Sequence, residues 1–252
     1  MGAEWWITDA VKNERAAACL RICLKAAEVR AEVTRMMATL TRTPENIDLA
    51  LAIIRRAQLL DQEAVAWMES LPEAWQWKTL CWEDHVPGGD YGKAEVFPGR
   101  VDVYNDFWIA SIWNLTRTAR MILATTTIRC AAWVCSPMNY RTTPEYATAS
   151  RIVADMVTDI IASVPYHLGW HRKRQHLFDN LELSGFACGE EDSTKGLPGY
   201  FLTWPLGCII TQDHVTDPQR QWVSGRLRYI GDELGLKYAH ILADVSLQSR
   251  AY

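Results

Sequence analysis

The stretch that decides the fold is residues 102–124, which read DVYNDFWIASIWNLTRTARMILA. It is apolar around most of a helical circumference, a pattern typical of a helix buried inside a protein. Asn114, Arg117 and Arg120 interrupt it at intervals of three, and residues three apart share one helix face. The sequence therefore predicts a central buried helix over about residues 105–135 that carries one polar stripe.

The remainder of the chain indicates further helices. Apolar residues recur at spacings of three and four over about 9–40 and again over 152–164. Threonine can cap a first helical turn and proline fits its first position, so the Thr-Pro pairs at Thr43-Pro44 and Thr143-Pro144 predict helix starts. Two further helices are predicted to begin at Asp217-Pro218 and after Gly235. Alternating strand patterns are essentially absent, so we expect an all-α fold in one domain over residues 1–252.

Other segments carry loop or boundary signals. Residues 71–103 are rich in glycine and proline and predict an irregular loop whose tryptophans pack down in its first part. Pro165 is expected to end the helix that begins at Pro144, with a short helix following over about 168–181. The acidic, glycine-rich stretch 184–199 is the predicted mobile loop. The uncharged stretch 200–211 is predicted to be a buried core segment.

Composition excludes several classes of function. The chain has 49% hydrophobic residues, enough for a sizeable core. Its net charge is −4, so it lacks the excess of positive charge expected of a protein that binds nucleic acid or an anionic membrane. Its start has no signal-peptide pattern, and no uncharged run is long enough to span a bilayer. The seven cysteines are odd in number and lie mainly in apolar segments, which favours reduced, buried thiols of an intracellular protein.

The sequence contains no recognisable pattern for catalysis or metal binding. His167 and His171 lie four apart and His176 follows, but no further ligand completes a site, and the basic run 172–174 would repel a cation. Asp155 and Asp159 share a helix face opposite an apolar stripe and are expected to be surface charges. Nucleotide-binding and nucleophile motifs are absent. We therefore expect no catalytic, metal or cofactor site.

The polar stripe of the central helix leaves two roles open. Two buried arginines need carboxylates, carbonyls or a ligand anion, because an unpaired buried charge is costly. Asn114, Arg117 and Arg120 therefore either form a structural polar network or anchor an effector. The internal partners considered are Asp102, Asp106, Glu73 and acidic residues of the C-terminal helices.

Five motifs follow one another in a fixed order between about residues 80 and 245. They are FPGRVDVY (97–104), WIASIWNLTRTAR (108–120), IIASVPYHL (160–168), GYFLTWPL (199–206) and QWVSGRLRYIGDELGL (221–236). As a set they resemble the C-terminal part of the regulatory domain of fungal zinc-cluster transcription factors. The positions that carry the resemblance are Tyr104, Trp108, Trp113, Pro165, His167, Trp204, Pro205, Trp222 and Gly231.

The resemblance implies a helical, non-enzymatic domain that regulates transcription in the nucleus. It would act through protein partners or as a homodimer, with a small apolar effector as a further expectation. No six-cysteine cluster precedes the motifs, so this chain alone is not expected to bind DNA or to carry the family's zinc. Two alternatives stay open: a helical enzyme of secondary metabolism with a tryptophan-lined apolar pocket, and a structural or dimerisation module.

Overall fold

The computed structural model describes residues 13–171, 174 and 196–248 of the chain. The part so described is mostly helical, with a single two-stranded sheet, which confirms the all-α fold class. The helices are α1 (Glu14–Thr39), α2 (Pro44–Glu69), α3 (Phe107–Cys135), α4 (Pro144–His167), α5 (Gly196–Ile210), α6 (Asp217–Asp232) and α7 (Tyr238–Gln248). The strands are β1 (Lys78–Glu83) and β2 (Gly99–Val103). None of these described helices is both long and apolar enough to cross a membrane.

Contacts along the chain define two compact units, each built from two separate segments. The first unit comprises Met1–Leu71 and Leu115–Met156, and the second comprises Pro72–Asn114 and Val157–Tyr252. Helices α3 and α4 each contribute residues to both units. The expectation of one domain over residues 1–252 stays a prediction.

In the first unit, α1 packs against α2 through the faces that the periodicity indicates. The Asn13 side chain caps α1 by accepting from the backbone of Arg15 and Ala16, and Thr43 caps α2 by accepting from Asn46 N at 3.4 Å. These side chains satisfy amide groups that have no partner inside the helix. The buried residues recur at helical spacing: Ile22, Ala26, Val29 and Val33 on α1, and Ile53, Ala57, Leu60 and Ala64 on α2.

The central helix is α3, and its predicted extent differs from the observed one by two residues at its start. Asp106 begins it, because its carboxylate accepts from the backbone amide of Ile109 at 2.7 Å. The five consecutive residues 109–113, which point to all sides of the helix, are each at most 6% exposed. Burial on successive faces explains why the apolar residues of this helix surround it rather than forming one stripe.

In the second unit, part of the predicted irregular loop is a β-hairpin, so that prediction was wrong for 78–83 and 99–103. Strands β1 and β2 are antiparallel, with Lys78 opposite Val103 and Glu83 opposite Gly99, and a register shift falls near Thr79. The two strands are short and far apart in sequence. Pairing of this kind depends on contacts that a local pattern does not encode.

Pro165 was predicted to end the helix that begins at Pro144, and that prediction was wrong by two residues. Pro165 lies inside α4, which ends at His167, and Pro205 lies inside α5. Proline in a helix removes one backbone donor, and here both helices are held by burial, since Pro165 and Pro205 are themselves buried. Residues 200–211 fall mainly in α5, but Tyr200 and Trp204 are 62% and 51% exposed, so this segment is only partly core.

The remaining helix boundaries agree with the start signals. Thr216 caps α6 through a reciprocal box with Gln219, and Gly235 adopts a positive φ of 74° shortly before α7. Residues 168–171 form a turn, while most of the short helix predicted over 168–181 lies outside the described residues. Of the predicted mobile loop, 184–195 lie outside the described residues and 196–199 begin α5.

Candidate functional site

The polar stripe of α3 is buried but is shared by the two units. Asn114 and Arg117 are 0% exposed, and the side chain of Arg120 is 14% exposed. Asn114 belongs to the second unit, whereas Arg117 and Arg120 belong to the first. The stripe residues therefore make separate contacts, Asn114 within the second unit and Arg120 within the first.

Arg120 forms an ion pair with Asp61 of α2 inside the first unit. Arg120 Nε donates to Asp61 Oδ1 at 2.7 Å and the terminal nitrogen donates to Asp61 Oδ2 at 3.2 Å. This two-bond geometry between a guanidinium and a carboxylate is the strong form of the interaction. Asp61 is not among the partners that the sequence indicated, so that expectation was wrong for Arg120.

Arg117 is one of the largest fully buried side chains in the described part of the protein. It lies on α3 between Thr116 and Thr118, which are also buried. The hydroxyl of Thr116 lies 3.1 Å from Cys19 Sγ on α1, which ties this turn of α3 to α1 within the first unit. The two roles open for Arg117, a structural contact and an effector anchor, both stay predictions.

Asn114 is the centre of a buried polar network in the second unit. Its Nδ2 donates to Ser163 Oγ at 2.9 Å and lies 3.3 Å from His167 Nε2. The Ser163 hydroxyl in turn lies 2.7 Å from the backbone oxygen of Ile160. Ser163 and His167 are four residues apart on α4, so both face α3 from one side of that helix.

An aromatic cluster surrounds this network. The Phe107 ring stacks on His167 at a centroid distance of 6.0 Å, and the Tyr166 ring stacks on His171 at 4.9 Å. Tyr104 lies 5.5 Å from Tyr166. All five side chains are at most 4% exposed. The two histidines are thus held by packed rings, which suits a structural role better than a metal site.

The expectation of no metal site stays a prediction, and the histidines, cysteines and carboxylates of the described residues are the groups that bear on it. No group of three or more histidine, cysteine or carboxylate side chains among them is placed to hold an ion. His176, the third histidine of the segment, lies outside the described residues. The six described cysteines are free thiols, and burial raises the pKa of Cys130 to about 11.

A second ionic cluster joins the hairpin to α4. Arg100 Nε donates to Asp102 Oδ2 at 2.9 Å, its terminal nitrogen pairs with Asp159, and its guanidinium lies 4.5 Å from the centre of the Trp77 ring. Burial opposes the charge on Arg100, but the two carboxylates outweigh burial and raise its pKa. The expectation that Asp159 is a plain surface charge was therefore wrong, whereas Asp155 is exposed.

The motif tryptophans occupy different environments. Trp113 Nε1 donates to the backbone oxygen of Trp75 at 2.6 Å, and Trp108 packs edge-on against the Trp75 ring at 5.3 Å. Trp222 is 0% exposed and lies 5.9 Å from Phe97. Trp108 and Trp113 therefore both contact Trp75, whereas Trp222 packs against Phe97.

One motif position, Gly231, has a clear steric reason. A Cβ at Gly231 would lie 2.5 Å from His240 Nε2, so glycine lets α6 approach α7 closely. The same imidazole is 3.1 Å from the carboxylate of Asp232. Pro205 is buried beside Trp204, whose ring projects into solvent.

Sequence reasoning missed Asp61 and Ser163, although both leave a signal. Asp61 falls in the apolar stripe of α2, four residues after Ala57 and three before Ala64. Ser163 falls in the apolar stripe of α4, four residues before His167. A polar residue in an apolar stripe requires a buried partner, so the same rule that singled out Asn114 applied to both.

Comparison with known proteins gives one informative relative. The chain is 25% identical over 207 residues to transcription factor dbaG of Emericella nidulans. The match covers 79% of this chain and 45% of that protein, so the chain spans less than half the relative's length. The chain is thus similar to a fungal transcription factor. No protein-family model and no solved structure matches it.

Proposed function

We propose that this chain is a transcription-regulatory domain of the type found in fungal zinc-cluster transcription factors. The observation that carries the proposal is the similarity to transcription factor dbaG across 79% of the chain. The ordered motifs between about residues 80 and 245 lend it further support. In this role the chain acts in the nucleus through protein contacts and leaves specific DNA binding to another module.

The surface of the second unit supports action through protein contacts. Helix α5 contains no charged residue, and it exposes Leu197, Tyr200 and Trp204 at positions three and four apart. Helix α7 packs against α5 and exposes Tyr238 and Ile241. Exposed aromatic and aliphatic side chains on neighbouring helices are typical of protein interfaces. We name these five residues the α5–α7 surface.

The buried polar groups support a regulatory rather than a catalytic role. Asn114 is fully buried and bonded to Ser163, and Arg120 is paired with Asp61 with only 14% of its side chain exposed. A catalytic group must reach a substrate. The alternative of a helical enzyme has no comparable relative in its favour.

A reporter assay tests the proposal. Residues 1–252 are fused to a foreign DNA-binding module, and transcription from its binding site is compared with that of the module alone at matched expression. We expect activation or repression of at least a few fold. Equal reporter output from the fusion and from the module alone, with the fusion folded and nuclear, would overturn the proposal.

Light scattering separates the proposed role from that of a structural or dimerisation module. If the chain dimerises in solution and the fusion leaves the reporter unchanged, the dimerisation alternative is favoured. A monomer that changes reporter output requires a different protein as its partner.

A further inference from the structure

Helix α6 carries two buried hydrogen-bond donors on one face. Trp222 is 0% exposed and Arg226 is 5% exposed. They lie four residues apart, so their side chains are neighbours on the helix surface. Within the part of the chain that the structure describes, neither Trp222 Nε1 nor Arg226 Nε has a hydrogen-bond acceptor.

The charge of Arg226 is also poorly compensated. One terminal nitrogen donates to the backbone oxygen of Lys93 at 3.1 Å, and the guanidinium lies 5.4 Å from the Tyr229 ring. Glu95 acts on it electrostatically but is ion-paired with Arg174 at 3.2 Å. Burial accordingly lowers the pKa of Arg226. Buried arginines are normally paired with carboxylates.

The segment 91–97 covers this face of α6 with aromatic rings. Phe97 lies 5.9 Å from Trp222 and 5.6 Å from Tyr91. Between the two donors, Gly225 lets the segment approach, since a Cβ there would lie 1.9 Å from the backbone oxygen of Gly92. Trp222 is therefore held between the helix and the Phe97 ring, while Arg226 lies against the backbone of the same segment at Lys93.

We propose that Trp222 Nε1 and the Arg226 guanidinium bind the carboxylate of a small organic acid beneath the segment 91–97. A carboxylate accepts several hydrogen bonds and carries the charge that Arg226 lacks. The rings of Tyr91 and Phe97 suit an apolar or aromatic body attached to that carboxylate. This site is separate from the stripe of α3 and does not depend on the proposed function.

Nuclear magnetic resonance on the full 15N-labelled chain tests the site directly. Acetate and benzoate are titrated in a buffer free of other carboxylates and of phosphate, with sodium chloride at equal ionic strength and neutral benzyl alcohol as controls. Trp222→Phe and Arg226→Lys assign the indole Nε1 and guanidinium Nε signals. We expect both signals to shift saturably with the carboxylates, more tightly for benzoate, and not with the controls.

Matched variants decide whether the donors cause the binding. Arg226→Gln should weaken benzoate binding by about tenfold or more, since a hydrogen bond to a charged group is lost. Arg228→Gln removes a half-exposed arginine two residues away and should leave binding unchanged. Trp222→Phe keeps an aromatic ring but removes the indole donor. This variant should also weaken binding, and it tests the site if Arg226→Gln does not fold. Absence of a saturable shift, or equal binding by wild type and folded variants, would overturn the site.

Discussion

At the scale of single residues, the ion pair between Arg120 and Asp61 should contribute to the stability of the protein. Arg120 and Asp61 are 14% and 15% exposed and form two hydrogen bonds. Removing one partner of such a pair leaves the other charge uncompensated in a poorly solvated place. Replacing both partners by apolar residues avoids that cost. Variants of this pair therefore measure how much Arg120 contributes to the free energy of unfolding.

Arg120→Met should destabilise the protein by about 3 kcal/mol, and Arg120→Met combined with Asp61→Leu should recover most of the loss. Urea unfolding of the single and double variants measures both values. Lys25→Met is the matched control, because its pair with Glu63 is 47% exposed on both sides and should contribute less than about 1 kcal/mol. An Arg120→Met loss as small as that of the control contradicts a structural role for the pair.

Asn114 should matter more than either of its partners. Asn114→Leu leaves Ser163 and His167 without their shared partner, and a buried polar group without a hydrogen bond costs about 1–3 kcal/mol. Ser163→Ala removes one member and leaves Asn114 near His167, so we expect a smaller loss. Urea unfolding at one pH orders the two variants. The network interpretation fails if Ser163→Ala is the more damaging change.

At the scale of elements, glycines set how closely helices approach their neighbours. A Cβ at Gly225 would meet the backbone oxygen of Gly92 at 1.9 Å, whereas one at Gly231 would meet the imidazole of His240 at 2.5 Å. Backbone cannot move aside without shifting its whole segment. An imidazole that is 35% exposed can rotate away.

Gly225→Ala should therefore lower the free energy of unfolding by about 3 kcal/mol or more, at the upper end of overpacking losses, and Gly231→Ala should cost less. Combining Gly231→Ala with His240→Ala removes the clash and should restore part of the loss. Thermal unfolding compares the four proteins. If both glycine variants lose the same stability, the difference between a backbone neighbour and a side-chain neighbour does not determine the loss.

At the scale of the whole molecule, the α5–α7 surface should carry partner contacts. Tyr200→Ser combined with Trp204→Ser should reduce the reporter effect of the fusion by severalfold and leave its melting temperature almost unchanged, because both side chains are largely exposed. Trp82→Ser is the control, since Trp82 is 70% exposed but lies on the hairpin. Loss of the reporter effect in the control alone would assign the contacts elsewhere.

Features that depend on local sequence were predicted correctly, and features that depend on contacts between distant segments were not. Helix existence, starts and buried faces were predicted because capping and periodicity are local: Thr43 caps α2 and Asp106 begins α3. The hairpin was missed because the pairing of Lys78 with Val103 joins distant residues. The partner of Arg120 was misassigned because Asp61 lies on another helix, and no local pattern connects the two residues.

The sequence by itself determined a helical protein organised around a central apolar helix with buried polar groups, because the hydrophobic effect acts on periodic patterns within one segment. The ordered motifs also indicated its resemblance to fungal regulatory domains. Only the tertiary structure decided which groups satisfy the stripe: Asp61 for Arg120, and Ser163 with His167 for Asn114. Hydrogen bonds and ion pairs require distances of about 3 Å, and the packing of separate segments sets those distances.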